Sequence, residues 1–340
     1  MMVYHIFMEV NFYTIIKNTK IKNEAKKMIT NTSIKISELN ISEKRGVKKE
    51  PVKNITIDDL GIVNDAHRGS WHRQVTLLSK EAVSEFEIKH NRKTYSWEFA
   101  VNILLEGLDI SNVGLFDKIK INDTTVLEIT QIGKKPHNYD SPVMRDTGDN
   151  IMFKQGLFAR VLSGGDISIG DKVEYIPRPL KIKVITLSDR ASRGEYEDLS
   201  GPEIRKALDE YFTGTRWKLE VSSTIIPDDE KMLEYELTTA KSENFDFIFT
   251  TGGTGISPRD ITPDVVVRMS DKIIPGVMDH IRIKYGSKKP NALLSRSVAT
   301  VMGNSIVYTL PGSVKAVREY METILETAEH LLLMLHSVGH

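Results

Sequence analysis

Between Ser33 and about Pro179, apolar residues come in short runs that mostly alternate with polar ones. Ile34, Ile36 and Leu39 open the pattern. Val75–Leu78, Thr125–Ile129 and Leu157–Leu162 repeat it, with turn-forming segments such as Ser163-Gly164-Gly165-Asp166 and Ile169-Gly170-Asp171 between runs. A period of two with this punctuation predicts strands. Many short strands of this kind predict a barrel or a sandwich. One helix is predicted, over Ser79–Lys89.

At Ile176-Pro177-Arg178-Pro179 the rhythm breaks, because two prolines one residue apart favour an extended connector. Strand and helix then alternate. Lys181–Leu187, Leu219–Ile226, Phe245–Thr251 and Ser305–Leu310 are short apolar runs that predict strands. Phe245–Thr251 is apolar on both faces, as in a buried parallel strand. Helices are predicted from Ser200 to Phe212, from Asp228 to Ser242, from Thr262 and from Ser313 to His336. Ser200-Gly201-Pro202-Glu203 has the spacing of a capping box, and Asp228 has the position of an N-cap. Repeated strand–helix units predict a parallel sheet covered by helices, with ligands beyond the carboxyl ends of its strands.

With 340 residues, the chain is long enough for two domains. Its 40% apolar and 27% charged residues allow each a real core. The 46 basic and 46 acidic residues cancel, so nothing favours nucleic acid or an acidic membrane as partner. There is no cysteine, which removes disulfides, thiolate metal sites and cysteine nucleophiles. The leader, residues 1–32, is Lys-rich. Its one apolar candidate, Val3–Ile16, is interrupted by Glu9 and Asn11, so it lacks a secretion signal. The expectation is a disordered tail, or an over-long start with initiation near Met28, on a cytoplasmic protein.

The strongest candidate chemistry follows the third strand of the second half. Thr251-Gly252-Gly253-Thr254-Gly255 allows a tight bend and exposed N–H groups, an anion cradle at a sheet's edge. The plain alternative is a tight turn. Five residues beyond the last glycine comes Asp260. A carboxylate beside a phosphate needs a cation between them, and Mg²⁺ takes oxygen from both. Asp264 fits a first-turn acid. Asp228 lies at another strand end, Ser188-Asp189 at a third and Pro311-Gly312 at a fourth.

These segments together resemble the molybdopterin adenylyltransferase family. The signature is Thr251–Gly255 with Pro258-Arg259-Asp260-Ile261-Thr262-Pro263-Asp264. Ser188–Ser192 with Asp198–Pro202, Ile226–Asp229, Ala292–Ser297 and Leu310–Gly312 follow the family's other loops in order, across nearly all of Lys181–Leu335. The resemblance implies a three-layer α/β/α fold and a homotrimer. It implies Asp228 and Asp260 as the catalytic acids, holding Mg²⁺. Thr251, Gly252, Gly253, Thr254 and Gly255 become the nucleotide-phosphate loop. Ser188, Asp189, Ser297, Pro311 and Gly312 become substrate contacts. The implied reaction joins the phosphate of molybdopterin to the α-phosphate of ATP and releases pyrophosphate. The alternative is a carrier that binds molybdopterin without chemistry and needs neither acid.

Ser33–Tyr175 resembles a MOSC domain through Asp65–Val75, Leu127–Lys134 and Gly156–Leu162, which implies a β-barrel-like fold. It departs from the family where the family has cysteines: Pro136, just before His137, Asp140 and Asn150. Val101 stands where the family has an acid. A sulfur carrier needs a thiolate, so this half is expected to bind or scaffold. His67 and His72 are five apart; hydrogen-bonded loop histidines are the commoner outcome than metal ligands. Arg68, His72 and Arg73 form a basic cluster able to hold a pterin phosphate. The expected domains are the leader 1–32, a MOSC-like β domain 33–176, a linker 177–180 and an α/β domain 181–340. Expected partners are molybdopterin and ATP, with other proteins of molybdenum-cofactor synthesis as candidates, and neither nucleic acid nor membrane.

Overall fold

The computed structural model describes residues 33–44, 47–135 and 141–338. The leader, Pro136, His137 and Asp140 lie outside the described residues. The chain divides into two compact units, Met1–Pro177 and Arg178–His340. Among the described residues, no helix is long and apolar enough to cross a membrane.

In the first unit, strands β1 (Ile34–Ile41), β2 (Glu50–Val52), β3 (Asn54–Asp58), β4 (Gly61–Ile62) and β5 (Val75–Ser79) precede helix α1 (Lys80–His90). Then come β6 (Ile103–Glu106), β7 (Lys118–Ile121), β8 (Thr125–Ile132), helix α2 (Pro142–Thr147), β9 (Leu157–Ser163), β10 (Gly165–Ser168) and β11 (Lys172–Ile176). Seven strands close a barrel in the order β11-β7-β8-β9-β5-β6-β1, with β1 pairing back to β11. Closure leaves no free sheet edge in the ring. Alternation fills it: in β7, Ile119 and Ile121 are fully buried while Lys118 and Lys120 are not. Ser79 accepts a hydrogen bond from the Ala82 N–H and so caps α1, one residue before the helix begins.

The second unit runs β12 (Leu180–Leu187), α3 (Asp189–Ser192), α4 (Ser200–Phe212), β13 (Leu219–Ile226), α5 (Glu230–Ser242) and β14 (Phe247–Thr251). It continues with α6 (Thr262–Met269), β15 (Lys272–Ile273), α7 (Pro275–Gly286), β16 (Ala299–Met302), β17 (Ser305–Leu310) and α8 (Val314–Leu335). The sheet order is β13-β12-β14-β17-β16-β15. The first four strands are parallel, and β16 and β15 are antiparallel additions. The sequence pattern assigns no element between Ser270 and Asn304, where β15, α7 and β16 form. The two strands are short, and α7 leaves Ile283 exposed while burying Met278 and Ile281, so no clean apolar stripe marks it.

Helices cover both faces, giving three layers. Leu233, Leu237 and Ala240 of α5 and Val265 and Val266 of α6 pack on Ile185, Ile248 and Val307. Helices α4 and α8 pack on each other and on the other face. There Phe249 stacks on Tyr308 with ring centres 5.4 Å apart. From β12 the chain goes first to one side, to β13, and then to the other, to β14. That reversal opens a crevice at the carboxyl ends of β12 and β14.

Two helix starts differ from expectation. Ser200 does not cap α4. Asp198 does, accepting from the N–H groups of Ser200 at 2.9 Å and Gly201 at 3.1 Å. Glu203, the other half of the expected box, is drawn instead to Arg318 on α8. Nor does Asp228 cap α5: the cap is Asp229, whose side chain accepts from the Met232 N–H at 2.9 Å.

Candidate functional site

Because Asp229 satisfies the helix, the Asp228 carboxylate is free to turn toward the end of β12. There it accepts a hydrogen bond from the Asp189 N–H at 3.2 Å, and Asp189 accepts one from the Asp228 N–H at 3.2 Å. This reciprocal pair holds two acids side by side across adjacent strand ends. Ser188 fixes the approach by capping α3 through the Ala191 N–H.

The glycine loop closes the other side. Gly252 and Gly253 take φ of +103° and +61°, the left-handed region that L side chains resist. A Cβ on Gly252 would also press into the Leu187 carbonyl oxygen, inside van der Waals contact. Gly252→Ala is therefore expected to lower this unit's stability by about 1–3 kcal/mol. Gly276 on α7 has open space around its Cβ position and serves as the control. Hydrogen exchange in β14 under increasing urea reads the difference; equal protection in the two variants would refute the strain.

Thr262 anchors the loop, donating its hydroxyl to the Gly252 carbonyl at 2.9 Å and its N–H to that of Gly253 at 3.1 Å. Thr251 is fully buried and donates to the Pro311 carbonyl at 2.9 Å. Its hydroxyl thus joins two loops rather than facing a ligand. Gly312 completes the junction, its Cβ position only 3.4 Å from Gly252 Cα. The nearest neighbours of a Cβ on Gly253 include Asp228 Oδ1 at 3.6 Å, and those of a Cβ on Gly255 include Asp260 Oδ2 at 2.8 Å. The absence of side chains there is what lets both acids approach the loop.

Leu187, Ser188, Asp189, Arg190, Asp228, Gly253, Arg259 and Asp260 line one crevice. Burial pushes the Asp228 carboxyl above the ordinary aspartate range. The Asp189 and Asp260 charges add to this, against the Asp189 N–H hydrogen bond and the Arg259 charge. Asp260 accepts from the Ser257 N–H at 2.8 Å. Thr254 and Gly255 line a neighbouring pocket with Tyr285, Ser295, Pro311 and Lys315. Ser297 lies beneath that pocket, fully buried, with its hydroxyl 2.9 Å from that of Ser295. Ser295 is the serine on the pocket wall.

Three residues outside the candidate set shape this site. Arg296 spans the loop, donating to the Gly255 carbonyl at 2.7 Å, to the Asp260 carbonyl, and to both Asp264 oxygens at 2.8 and 2.9 Å. Arg259 pairs with Asp189. Asp198 receives the Thr186 hydroxyl at 2.8 Å besides capping α4. All three lie in segments that carry the family resemblance, but nothing in their local spacing specifies these contacts.

In the barrel unit the basic cluster is rearranged. Arg68 is committed to Asp58, 2.5 Å away. Arg73 lies over the Trp71 ring at 5.0 Å. Lys134 is near enough that Arg73's charge adds to burial in lowering its pKa. His67 binds Asp65 Oδ1 at 3.1 Å. Among the described residues, no group of three or more His, Cys, Asp or Glu could hold a metal ion.

Residues 183–330 match the family model described as "Probable molybdopterin binding domain". Over 146 residues the chain is 38% identical to a molybdopterin adenylyltransferase of Helicobacter pylori, covering 43% of this chain and 81% of that one. It is 32% identical over 155 residues to the molybdopterin adenylyltransferase of Haemophilus influenzae, covering 45% of this chain and 77% of that one. Among solved structures, the molybdopterin biosynthesis Mog protein from Mycobacterium ulcerans is 34% identical, with a TM-score of 0.42, over 46% of this chain and 98% of that one.

Proposed function

We propose that this chain, which belongs to the molybdopterin adenylyltransferase family, transfers AMP from ATP to molybdopterin. A phosphate oxygen of molybdopterin attacks the α-phosphorus of ATP. The bond from that phosphorus to the bridging oxygen breaks, and pyrophosphate leaves. The observation that carries this reading is the release of Asp228 from helix capping, which sets it with Asp189 and Asp260 beside the glycine loop.

Mg²⁺ fits the donor set. It takes one or two carboxylates, several waters and the phosphates of its substrate, rather than an all-protein cage. Asp228 and Asp260 are two hard oxygen donors beside a phosphate loop, and no larger cluster is needed. When bound, the ion would offset charge on the reacting phosphates. The chain's own residues position. The Gly252 N–H is held by the Leu310 carbonyl at 3.0 Å, so it is the backbone of Gly253–Gly255 that offers N–H groups to phosphate oxygens. Arg296 fixes the loop that carries Asp260. No protein nucleophile is required, so catalysis is orientation and charge.

The homotrimer and a cytoplasmic setting belong to the same proposal. For the barrel unit we assign binding or scaffolding, as a MOSC-type barrel without a thiol. The test is pyrophosphate release by the full chain from ATP and Mg²⁺, with and without molybdopterin. Release that requires molybdopterin supports the transfer. Tight molybdopterin binding without release would replace it with a carrier.

A further inference from the structure

The crevice that receives the nucleotide carries three acids, Asp189, Asp228 and Asp260, against two arginines, Arg190 and Arg259. A polyphosphate arriving there meets a net negative wall. The two arginines differ in how they are held. Arg190 is part of α3, with its guanidinium 5.3 Å from the centre of the Tyr196 ring. Arg259 stands on the loop between Gly255 and Thr262, with its side chain 66% exposed. Among the described residues its side chain has one ion pair, to Asp189 Oδ2. The loop is fastened at both ends by Arg296, at the Gly255 and Asp260 carbonyls, while Ile256 between them is 80% exposed.

We propose that Arg259 is a substrate-contacting residue, parked on Asp189 until the nucleotide arrives, that then moves to the phosphates that leave as pyrophosphate. The guanidinium fork fits phosphate as well as carboxylate, so it exchanges one partner for the other without changing its donor geometry. The pair that must break is exposed on the arginine side and therefore weakly held. Its opening also frees the Asp189 oxygen that faced Arg259. The other, Oδ1, stays on the Asp228 N–H, so the two strand ends remain tied. The proposal rests on the reading that this crevice takes a polyphosphate.

The test is calorimetric titration of the full chain with pyrophosphate in excess Mg²⁺, using wild type, Arg259→Gln, Asp189→Asn and the double variant. Arg259→Gln should weaken binding by about tenfold to a hundredfold, the worth of a hydrogen-bonded charge pair. Asp189→Asn keeps an oxygen for the Asp228 N–H but releases the arginine, so it should tighten binding a few-fold. In the Arg259→Gln background that gain should vanish. A structural pair would give weaker binding in both single variants. A general charge effect would give the Asp189→Asn gain with or without Arg259. Either result overturns the parked arginine and leaves the transfer reading standing. Wild type that binds no pyrophosphate would bring down both.

Discussion

Asp228→Asn and Asp260→Asn should each lower molybdopterin-dependent pyrophosphate release by about 10²- to 10³-fold, the usual cost of removing one preorganised electrostatic group. Both replacements keep shape. The amide introduced in place of Asp228 still offers an oxygen to the Asp189 N–H, and the one in place of Asp260 still offers an oxygen to the Ser257 N–H. Neither side chain caps a helix, since Asp229 caps α5 and α6 has no side-chain cap. The fold should therefore survive, and the loss should fall on the rate. What disappears is negative charge beside the glycine loop, where only a cation makes two carboxylates and a phosphate compatible. Raising Mg²⁺ should recover part of the activity in either variant if the acids hold the ion. Rates within about threefold of wild type in both would remove the acids from the chemistry and favour the carrier.

The largest stability effect is expected in the barrel unit. Asp65→Asn should cost about 3–5 kcal/mol, because it breaks a buried ion pair and leaves its partner behind. Lys49 is 2% exposed, and its ammonium lies 2.6 Å from Asp65 Oδ2. That oxygen also accepts from the Ser42 N–H at 3.1 Å and Asn102 Nδ2 at 2.9 Å. The other accepts from the His67 N–H at 2.9 Å and faces His67 Nδ1 at 3.1 Å. An asparagine has one acceptor and must turn its NH₂ toward donors. The sign of the pH dependence follows. Burial opposes the Asp65 charge, but the His67 and Lys49 hydrogen bonds and the Lys49 charge outweigh it, and the carboxyl is held below its ordinary range. Its contribution is present above the unfolded value of about 4 and is lost as pH falls below that toward the folded value. Hydrogen exchange of the β1 and β5 amides in urea would read both effects. Protection unchanged by the substitution would refute the pair's role.

Burial of the lysine itself was not legible. Nothing in the spacing of Lys49 and Asp65 distinguishes them from surface charges, because residues 16 apart meet only when the barrel closes. The barrel's strands, by contrast, follow from alternation that a half-buried surface requires. The same contrast holds in the second unit. Local apolar runs specify β12, β13, β14 and β17. Strands β15 and β16, of two and four residues, are too short to carry a period, and helix α7 lacks a clean apolar stripe, so all three owe their form to packing.

At the candidate site, the sequence by itself determined where each acid would lie along the chain. Asp189, Asp228 and Asp260 follow strands or glycines because apolar runs end there and polar residues must begin. It also determined that the loop after β14 would bend tightly, since glycine tolerates the φ that the bend demands. Only the tertiary structure decided which acid caps a helix and which faces the crevice. Asp228 and Asp229 are equivalent as neighbours in sequence, and α5 begins one residue later than it would if Asp228 were its cap. Only the tertiary structure, too, placed Ser297 beneath Ser295, set Arg296 across the loop and set Arg259 on Asp189. Each of these depends on segments distant in sequence meeting, or on which face of a loop is covered, and neither is encoded in local periodicity.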